Sequence, residues 1–154
     1  MSESPYQVDD GRPHLIIMVG MPGSGKTSYV LKHLRNTHIR LNLDTIKNRD
    51  KERSLFFACL AARVNIVIDN TNMSREERAR FLPFAIACGY TTCVVYIDVP
   101  VEVCRERSTQ RVTNERRNPI PDKAFNGMIS RFQMPDKDLE AFDFLYIEKQ
   151  ENVL

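Results

Sequence analysis

The chain has 154 residues, a length that suits one domain with a single hydrophobic core. Charged residues make up 27% of the chain and hydrophobic residues 42%, a composition that excludes disordered, fibrous and membrane-embedded proteins. The formal net charge of +2 is too small to indicate a nucleic-acid partner by itself, so evidence for such a partner must come from local motifs.

The sequence shows no clear signal for membrane insertion, secretion or a structural metal. The apolar runs are strand-sized and fall short of the roughly 20 residues that a membrane helix needs. The N-terminus lacks the apolar core of a signal peptide, so we expect a protein that is cytoplasmic, or nuclear in a eukaryote, and neither secreted nor bound to a membrane. The cysteines show neither a C-x-x-C pair nor zinc-finger spacing, which predicts thiols that fill the core. They are Cys59, Cys88, Cys93 and Cys104.

Strands and helices are predicted to alternate after a polar N-terminal segment. Residues 1–13 lack periodicity, which predicts a flexible tail before a single domain over residues 14–154. Strands are predicted at 15–19, 39–43, 64–68, 91–97 and 144–147, and helices at 27–35, 45–62, 74–88, from 100, and at 122–133. This alternation predicts right-handed crossovers and a three-layer α/β fold with a parallel sheet of about five strands. The binding site of such a fold lies at the carboxyl ends of the strands.

Directly after the first predicted strand, eight residues fit the pattern G-x-x-x-x-G-K-[ST] of a P-loop. They are Gly20, Met21, Pro22, Gly23, Ser24, Gly25, Lys26 and Thr27, and Ser28 follows them in the first helix. The glycines let backbone N–H groups approach phosphate oxygens, Lys26 reaches the outer phosphates, and Thr27 offers its hydroxyl to Mg²⁺. The flanking strand and helix favour an ATP site over a glycine-rich turn without a ligand. We therefore expect a P-loop kinase-like fold.

Two aspartates follow other predicted strands and indicate the acceptor side. In phosphoryl transfer to an alcohol, a carboxylate near the γ-phosphate accepts the hydroxyl proton while a metal neutralises developing charge. Asp44 is the predicted base and, with Thr27, the predicted metal ligand, although its spacing also suits a helix N-cap. Asp69 ends an apolar run, where a carboxylate can hold metal or water, or bind substrate instead.

An arginine-bearing lid is predicted after the fourth strand. Arg105, Arg107 and Arg111, followed by Arg116 and Arg117, flank a polar segment at 109–118 that could close over the nucleotide. An arginine that donates to the transferring phosphoryl group can raise the rate by about 10³ to 10⁵. The alternative is a solvated helix face on which the arginines pair with neighbouring glutamates.

Together these segments resemble the 5′-polynucleotide kinase family, which includes the T-even phage polynucleotide kinase and the kinase half of the mammalian polynucleotide kinase-phosphatase. The resemblance spans roughly residues 15–134. It rests on the P-loop, on Leu-Asn-Leu-Asp-Thr at 41–45, on Ile-Asp-Asn-Thr-Asn at 68–72, and on Asp-Val-Pro at 98–100 before the lid.

The resemblance implies a role for each matching residue. Lys26 and Thr27 handle ATP and Mg²⁺, Asp44 activates a 5′-hydroxyl, and Arg111 contacts the transferred phosphate, with Arg107 one helical turn earlier as the second candidate. The acceptor is expected to lie beside Asp69, Asn70, Thr71 and Asn72. The family has an arginine just before its catalytic aspartate where this chain has Leu43, so Lys47 is expected to supply part of that contact.

The expected function is transfer of the γ-phosphate of ATP to the 5′-hydroxyl end of DNA or RNA. No D-x-D-G-T phosphatase motif occurs, so a kinase without a phosphatase domain is expected. Two alternatives stay open: a kinase of the same fold acting on a small-molecule hydroxyl, which the modest net charge suits, and a nucleotide-dependent interaction module. The pattern gives no indication of oligomeric state.

Overall fold

The computed structural model describes residues 9–150, in which five strands form one fully parallel sheet. The strands are β1 (His14–Val19), β2 (Ile39–Leu41), β3 (Ile66–Ile68), β4 (Thr91–Asp98) and β5 (Phe144–Lys149). Their order across the sheet is β2-β3-β1-β4-β5, so β1 is central. Ile16 of β1 is level with Val67 of β3 on one side and with Cys93 of β4 on the other.

Eight helices connect these strands within the same residues. They are α1 (Lys26–His33), α2 (Leu43–Ile46), α3 (Arg49–Ala62), α4 (Arg75–Arg78), α5 (Leu82–Ala87), α6 (Val101–Asn114), α7 (Asp122–Arg131) and α8 (Lys137–Glu140). The predicted α/β P-loop kinase-like fold with five parallel strands is confirmed. Parallel strands need such crossovers, and the carboxyl ends of all five strands therefore meet at one edge.

Burial of β1 on both faces explains why its sequence is continuously apolar. Residues 15–19 have no exposed surface. On one side of the core, Phe56 of α3 meets Phe81 edge to face, with ring centroids 5.1 Å apart. A central parallel strand covered on both faces is typical of this architecture.

The structure divides the helix predicted at 45–62 into two helices, because two asparagines interrupt it. Asn42 accepts the N–H of Thr45 and caps α2, so β2 ends at Leu41 rather than at residue 43. Asn48 accepts the N–H groups of the first turn of α3. Asp44 lies inside the first turn of α2, so the alternative that it is an N-cap is wrong.

Other boundaries were predicted partly correctly. Ser74 caps α4 by accepting the N–H of Glu77, as its spacing predicts, but the segment then breaks into α4 and α5. Gly89, with φ of 78°, follows the end of α5 as expected. The helix predicted from residue 100 continues into the polar lid segment as far as Asn114, and α8, which Asp136 caps, was missed.

Cysteine burial matches the prediction only in part. Cys93 and Cys104 are buried, Cys59 is half-buried, and Cys88 is exposed, so the expectation that all four fill the core is wrong for Cys88. Within residues 9–150, no helix has both the length and the apolar character to cross a membrane. The first eight residues of the predicted tail lie outside the described part of the chain, whereas Asp10 is hydrogen-bonded to the side chain of Thr91 in β4.

Candidate active site

The P-loop lies at the carboxyl end of β1 and leads into α1. Gly23 and Gly25 have φ values of 83° and 98°, a region that side chains other than glycine rarely adopt. The N–H of Ser24 donates to the carbonyl of Met21 at 3.1 Å, which closes the turn. Gly25 precedes the first residue of α1, so the free N–H groups of that helix point toward the loop. This geometry is that of a phosphate-binding loop.

Lys26 is a buried cation at the centre of the site. Its side chain is 8% exposed, and Nζ donates to the carbonyl oxygen of Met21 at 3.1 Å. Burial lowers its pKa to about 8, and the negative charge of Asp69 partly opposes this effect. The positive charge of Arg111 lowers the Lys26 pKa further, whereas the negative charge of Asp44 raises it.

Thr27 contacts Asp69, which ends β3. The Thr27 hydroxyl donates to Oδ2 of Asp69 at 3.1 Å, and Nε of Arg40 donates to the same oxygen at 2.8 Å. Asp69 is 1% exposed, yet its Oδ1 has no hydrogen-bond partner within residues 9–150. A hydroxyl and a carboxylate with an unused oxygen match the hard oxygen ligands that Mg²⁺ prefers. The carboxylate beside Thr27 is thus that of Asp69, the residue for which the sequence also predicted a metal-holding role, and the predicted pairing of Thr27 with Asp44 at a metal stays a prediction.

The segment that joins β2 to α2, just before Asp44, is hydrogen-bonded to the residues that follow β3. The Asn42 amide donates to the carbonyl of Asp69 at 2.6 Å. The N–H of Leu43 donates to Oδ1 of Asn70 at 2.8 Å. Asp44 itself is exposed on the first turn of α2. Its carboxylate is therefore open to a substrate while its backbone is held from both sides.

The residues predicted to bind the acceptor are largely engaged within the protein. Asn70 uses both ends of its amide, since its nitrogen donates to Oε2 of Glu52 at 2.8 Å. Asn72 has a φ of 48°, is buried, and donates to the carbonyl of Met18 at 2.8 Å. The carbonyl of Thr71 accepts the N–H of Gly20 at 3.1 Å. These contacts show that polar groups of the segment hold β1 and the P-loop, and acceptor binding by these residues stays a prediction.

Lys47, the remaining predicted acceptor contact, ends α2. It is exposed and has a φ of 65°, and its N–H donates to the carbonyl of Leu43. The left-handed conformation turns the chain between α2 and α3. The Lys47 side chain therefore lies on the same short connection as Asp44.

The lid helix α6 packs directly against the P-loop. A Cβ added to Gly23 would overlap the carbonyl oxygen of Cys104. The Ser108 hydroxyl donates to the carbonyl of Pro22 at 3.2 Å, and Nη1 of Arg107 donates to the carbonyl of Gly23 at 3.4 Å. The structure thus brings Arg107 to the P-loop backbone.

Three of the other lid arginines form ion pairs away from the P-loop. Nε of Arg111 lies 3.4 Å from Oε2 of Glu115, and Arg117 shares that carboxylate oxygen at 2.7 Å. Arg105 pairs with Asp122 at 3.2 Å at the start of α7. Arg116, which is exposed and has a φ of 52°, lies just after α6. Pairs this exposed contribute little to stability, so they leave Arg111 able to exchange partners.

Three residues with roles at the site escaped the sequence analysis. Arg40, Glu52 and Ser108 contact Asp69, Asn70 and the P-loop carbonyl of Pro22, respectively. A charged residue in a short strand or a helix is ordinarily predicted to be solvated. The one available signal was the position of Glu52 four residues after the capping Asn48, which places it in the first turn of a helix.

Comparison with known proteins agrees with this fold. A family model described as an AAA domain matches residues 15–55 and 48–135. The chain therefore belongs to that family, with the fold of a P-loop kinase. The match covers the P-loop, both loops around Asp44 and Asp69, and the lid.

Several relatives can be named. The bifunctional polynucleotide phosphatase/kinase of Schizosaccharomyces pombe is 27% identical over 136 residues, which cover 87% of this chain and 33% of that protein. A chain of the Pnkp1/Rnl/Hen1 RNA repair complex aligns with a TM-score of 0.63 and 26% identity, over 86% of this chain and 47% of that one. Kti12 of Chaetomium thermophilum in complex with ADP-AlF3 aligns with a TM-score of 0.65 and 19% identity, over 86% and 87% of the two chains. This chain thus spans about a third of the length of the S. pombe relative.

Proposed function

We propose that this protein is an ATP-dependent kinase that transfers the γ-phosphoryl group to the 5′-hydroxyl end of a polynucleotide. One set of contacts supports the proposal most directly: the lid helix packs on the P-loop through Ser108, and the segment before Asp44 is hydrogen-bonded to the carbonyl of Asp69 beside the P-loop. A P-loop alone binds a nucleotide, whereas a carboxylate and a lid arginine near it would provide a base and a charge stabiliser. An interaction module needs neither.

Each residue then has a defined task. Backbone N–H groups of Gly23, Gly25 and the first turn of α1, together with the side chain of Lys26, bind the ATP phosphates. Mg²⁺, held by Thr27 and Asp69, would neutralise charge on those phosphates. Asp44 accepts the proton of the acceptor hydroxyl, and the hydroxyl oxygen forms its bond to the γ-phosphorus in line. The bond from that phosphorus to the leaving ADP oxygen breaks in the same step. Arg111 and Lys26 donate to the oxygens of the group in transit.

The choice of acceptor rests on the relatives rather than on the site. The S. pombe relative is named as a polynucleotide phosphatase/kinase, and the relative at 26% identity belongs to an RNA repair complex. Because the chain corresponds to about a third of the S. pombe protein, the proposal concerns the kinase reaction alone. Lys47, Arg49 and Lys51, close to Asp44 in sequence, supply positive charge for acceptor phosphates.

A panel of acceptors tests this proposal. The protein is incubated with labelled ATP and Mg²⁺ together with 5′-hydroxyl DNA and RNA oligonucleotides, matched 5′-phosphorylated oligonucleotides, nucleosides and sugars. Label transfer to 5′-hydroxyl oligonucleotides but not to the 5′-phosphorylated ones is the expected result, and Lys26→Ala is expected to abolish it. Faster transfer to a free sugar or nucleoside would replace the polynucleotide by a small-molecule acceptor. ATP binding without any transfer would favour the interaction module.

A further inference from the structure

The carboxylate of Glu52 is buried in the first turn of α3, where an acidic side chain is ordinarily solvated. Its side chain is 3% exposed. Oε1 accepts from Nη1 of Arg49 at 2.8 Å, and Oε2 accepts from Nδ2 of Asn70 at 2.8 Å. Burial of a carboxylate is costly unless hydrogen bonds and an opposite charge compensate for the lost water. The two partners of Glu52 provide that compensation.

Glu52 also determines which way the Asn70 amide points. A carboxylate only accepts hydrogen bonds, so Asn70 must turn its nitrogen toward Glu52 and its oxygen away. That oxygen accepts the N–H of Leu43 at 2.8 Å. In the reversed orientation, an amide N–H group would face the N–H of Leu43, and an oxygen would face the carboxylate. The orientation of the Asn70 amide is thus fixed by the hydrogen-bonding capacity of its two partners.

The chain of contacts ends at the residue before Asp44. Leu43 is the first residue of α2, and Asp44 is the second. The N–H of Leu43 lies at the helix start, where backbone donors have no partner within the helix. Asn70 supplies that partner from the end of β3, and Glu52 holds Asn70 from α3. Three elements that are separate in sequence therefore fix the backbone on which Asp44 stands.

We propose that Glu52 is a positioning residue, which acts through Asn70 and Leu43 to place the Asp44 carboxylate for proton transfer. The inference rests on the proposed function, in which Asp44 is the base. Glu52 contacts neither the P-loop nor the described part of the lid. Loss of its contact is expected to shift the start of α2, whereas the bonds that hold the P-loop and β1 come from Thr71 and Asn72 and do not involve the Asn70 side chain. Displacements of about 1 Å can cost about 10²-fold in rate.

The first test is Glu52→Gln, which keeps the size of the side chain but adds a donor. Arg49 offers only donors, so the new amide keeps its oxygen toward Arg49 and turns its N–H groups toward the Asn70 nitrogen, and the contact with Asn70 is lost. We expect kcat to fall about 10- to 100-fold while KM for ATP stays the same, because ground-state binding of ATP is not affected. Asp143→Asn is the matched control. Asp143 accepts the N–H of Thr92 at 2.9 Å at the opposite end of the sheet, so this variant should lose stability without losing kcat.

The second test exchanges the two side-chain chemistries. Asn70→Asp alone places two carboxylates face to face and should also lower kcat. In the double variant Glu52→Gln with Asn70→Asp, the new amide donates to the new carboxylate, which still accepts the N–H of Leu43. Net charge and every hydrogen bond of the chain are preserved. We expect the double variant to regain most of the wild-type kcat, a recovery that two independent structural losses would not produce.

Asp44→Asn separates this inference from the proposed function. If Asp44→Asn abolishes turnover but folded Glu52→Gln keeps the wild-type kcat, the positioning role is wrong and the base assignment stands. Single-turnover rates of the Asp44→Asn variant give a second check. If Glu52→Gln lowers that rate by the same factor as it lowers the wild-type rate, Glu52 does not act through Asp44, and the positioning role is wrong. Normal turnover of Asp44→Asn would overturn both. If Glu52→Gln does not fold, the double variant Glu52→Gln with Asn70→Asp provides the test. A double variant that recovers neither the fold nor kcat would refute the positioning role of Glu52.

Discussion

Thr27 donates its hydroxyl proton to Oδ2 of Asp69 across 3.1 Å, which joins the start of α1 to the end of β3. Arg40 donates to the same oxygen from the edge strand β2. Oδ1 of Asp69 is buried and has no hydrogen-bond partner among the described residues. A buried acceptor without a donor costs free energy, which supports the proposal that Mg²⁺, or a water bound to it, contacts this atom.

Asp69→Asn tests this arrangement. The amide keeps the shape of the side chain but weakens the attraction for a cation and leaves Arg40 without an opposite charge. We expect the Mg²⁺ concentration for half-maximal rate to rise and kcat/KM to fall by about 10- to 100-fold. Initial rates across a Mg²⁺ titration measure both effects. An Mg²⁺ dependence identical to that of the wild type would show that Asp69 has no part in metal binding.

The burial of Lys26 predicts a cost in stability that depends on pH. Its pKa is lowered in the folded state from 10.5 to about 8, so between these values the unfolded chain binds more protons. Folding stability should therefore rise with pH in this window, and the full penalty applies below pH 8. At pH 7 we expect Lys26→Met to abolish turnover but to stabilise the fold by up to about 3 kcal/mol.

Thermal unfolding at pH 7, 8, 9 and 10 measures this effect. The advantage of Lys26→Met over the wild type should shrink as pH rises above 8, because the wild-type lysine then loses its proton in the folded state. Lys32→Met is the control, since Lys32 is exposed on the same helix. A constant difference in Tm across this range would contradict the lowered Lys26 pKa.

Gly23→Ala should break the contact between the P-loop and the lid helix. An added Cβ would overlap the backbone carbonyl of Cys104 and crowd the Ser108 hydroxyl, and φ of 83° adds strain. We expect loss of measurable ATP binding and destabilisation of more than about 2 kcal/mol. Gly11→Ala is the control, because Gly11 has a similar φ of 71° but open space around its Cβ. Unfolding titrations and nucleotide binding should separate overlap from strain, and equal losses in both variants would refute the packing argument.

The two lid arginines should differ in their kinetics. Arg107 contacts the carbonyl of Gly23 and should support the ATP site, so Arg107→Ala is expected mainly to raise KM for ATP. Arg111 influences Lys26 electrostatically and has an exposed partner in Glu115, so Arg111→Ala should lower kcat and kcat/KM together by about 10³-fold or more. Arg111→Lys should also fail, because lysine lacks the planar fork that fits two phosphate oxygens. Collapse of kcat in Arg107→Ala alone would identify Arg107 as the catalytic arginine.

Salt dependence should distinguish a polynucleotide acceptor from a small one. Each phosphate contact of an oligonucleotide releases counterions, so the acceptor KM should rise with salt, with a slope that corresponds to about two or three contacts. A nucleoside acceptor predicts an almost flat response. The measurement is the KM for a 5′-hydroxyl oligonucleotide between low and moderate salt, at saturating ATP. Lys47→Ala should reduce the slope by about one if this lysine contacts an acceptor phosphate.

Features of the site that depend on a few neighbouring residues were predictable. The P-loop could be identified from spacing because glycine is required wherever φ is positive and the backbone must approach a ligand. The cap at Ser74 and the stop at Gly89 follow from equally local rules. Alternation of apolar strands with helices then sufficed for the parallel sheet, since parallel strands need crossovers.

Boundaries with competing local signals were not predictable. Asp44, Asn42 and Asn48 are all capable N-caps, and only the folded chain shows that the asparagines cap while Asp44 stays free. Asn42 prevails because its amide also donates to the carbonyl of Asp69, a partner 27 residues away. The lid presented a similar ambiguity, because its polar composition conceals a helix that packs on the P-loop.

The sequence by itself determined the fold class, the phosphate-binding loop and the set of residue types from which a kinase site can be built. The tertiary structure decided which of them contact one another: Asp69 with Thr27, Arg107 with the P-loop backbone, and Asn70 with Glu52. The reason is that a motif is defined by backbone conformation over a few residues, whereas a pairing of buried polar groups depends on which strands lie side by side. Glu52 of α3 is the clearest example of such a pairing, because its partner Asn70 follows β3 and lies 18 residues further along the chain.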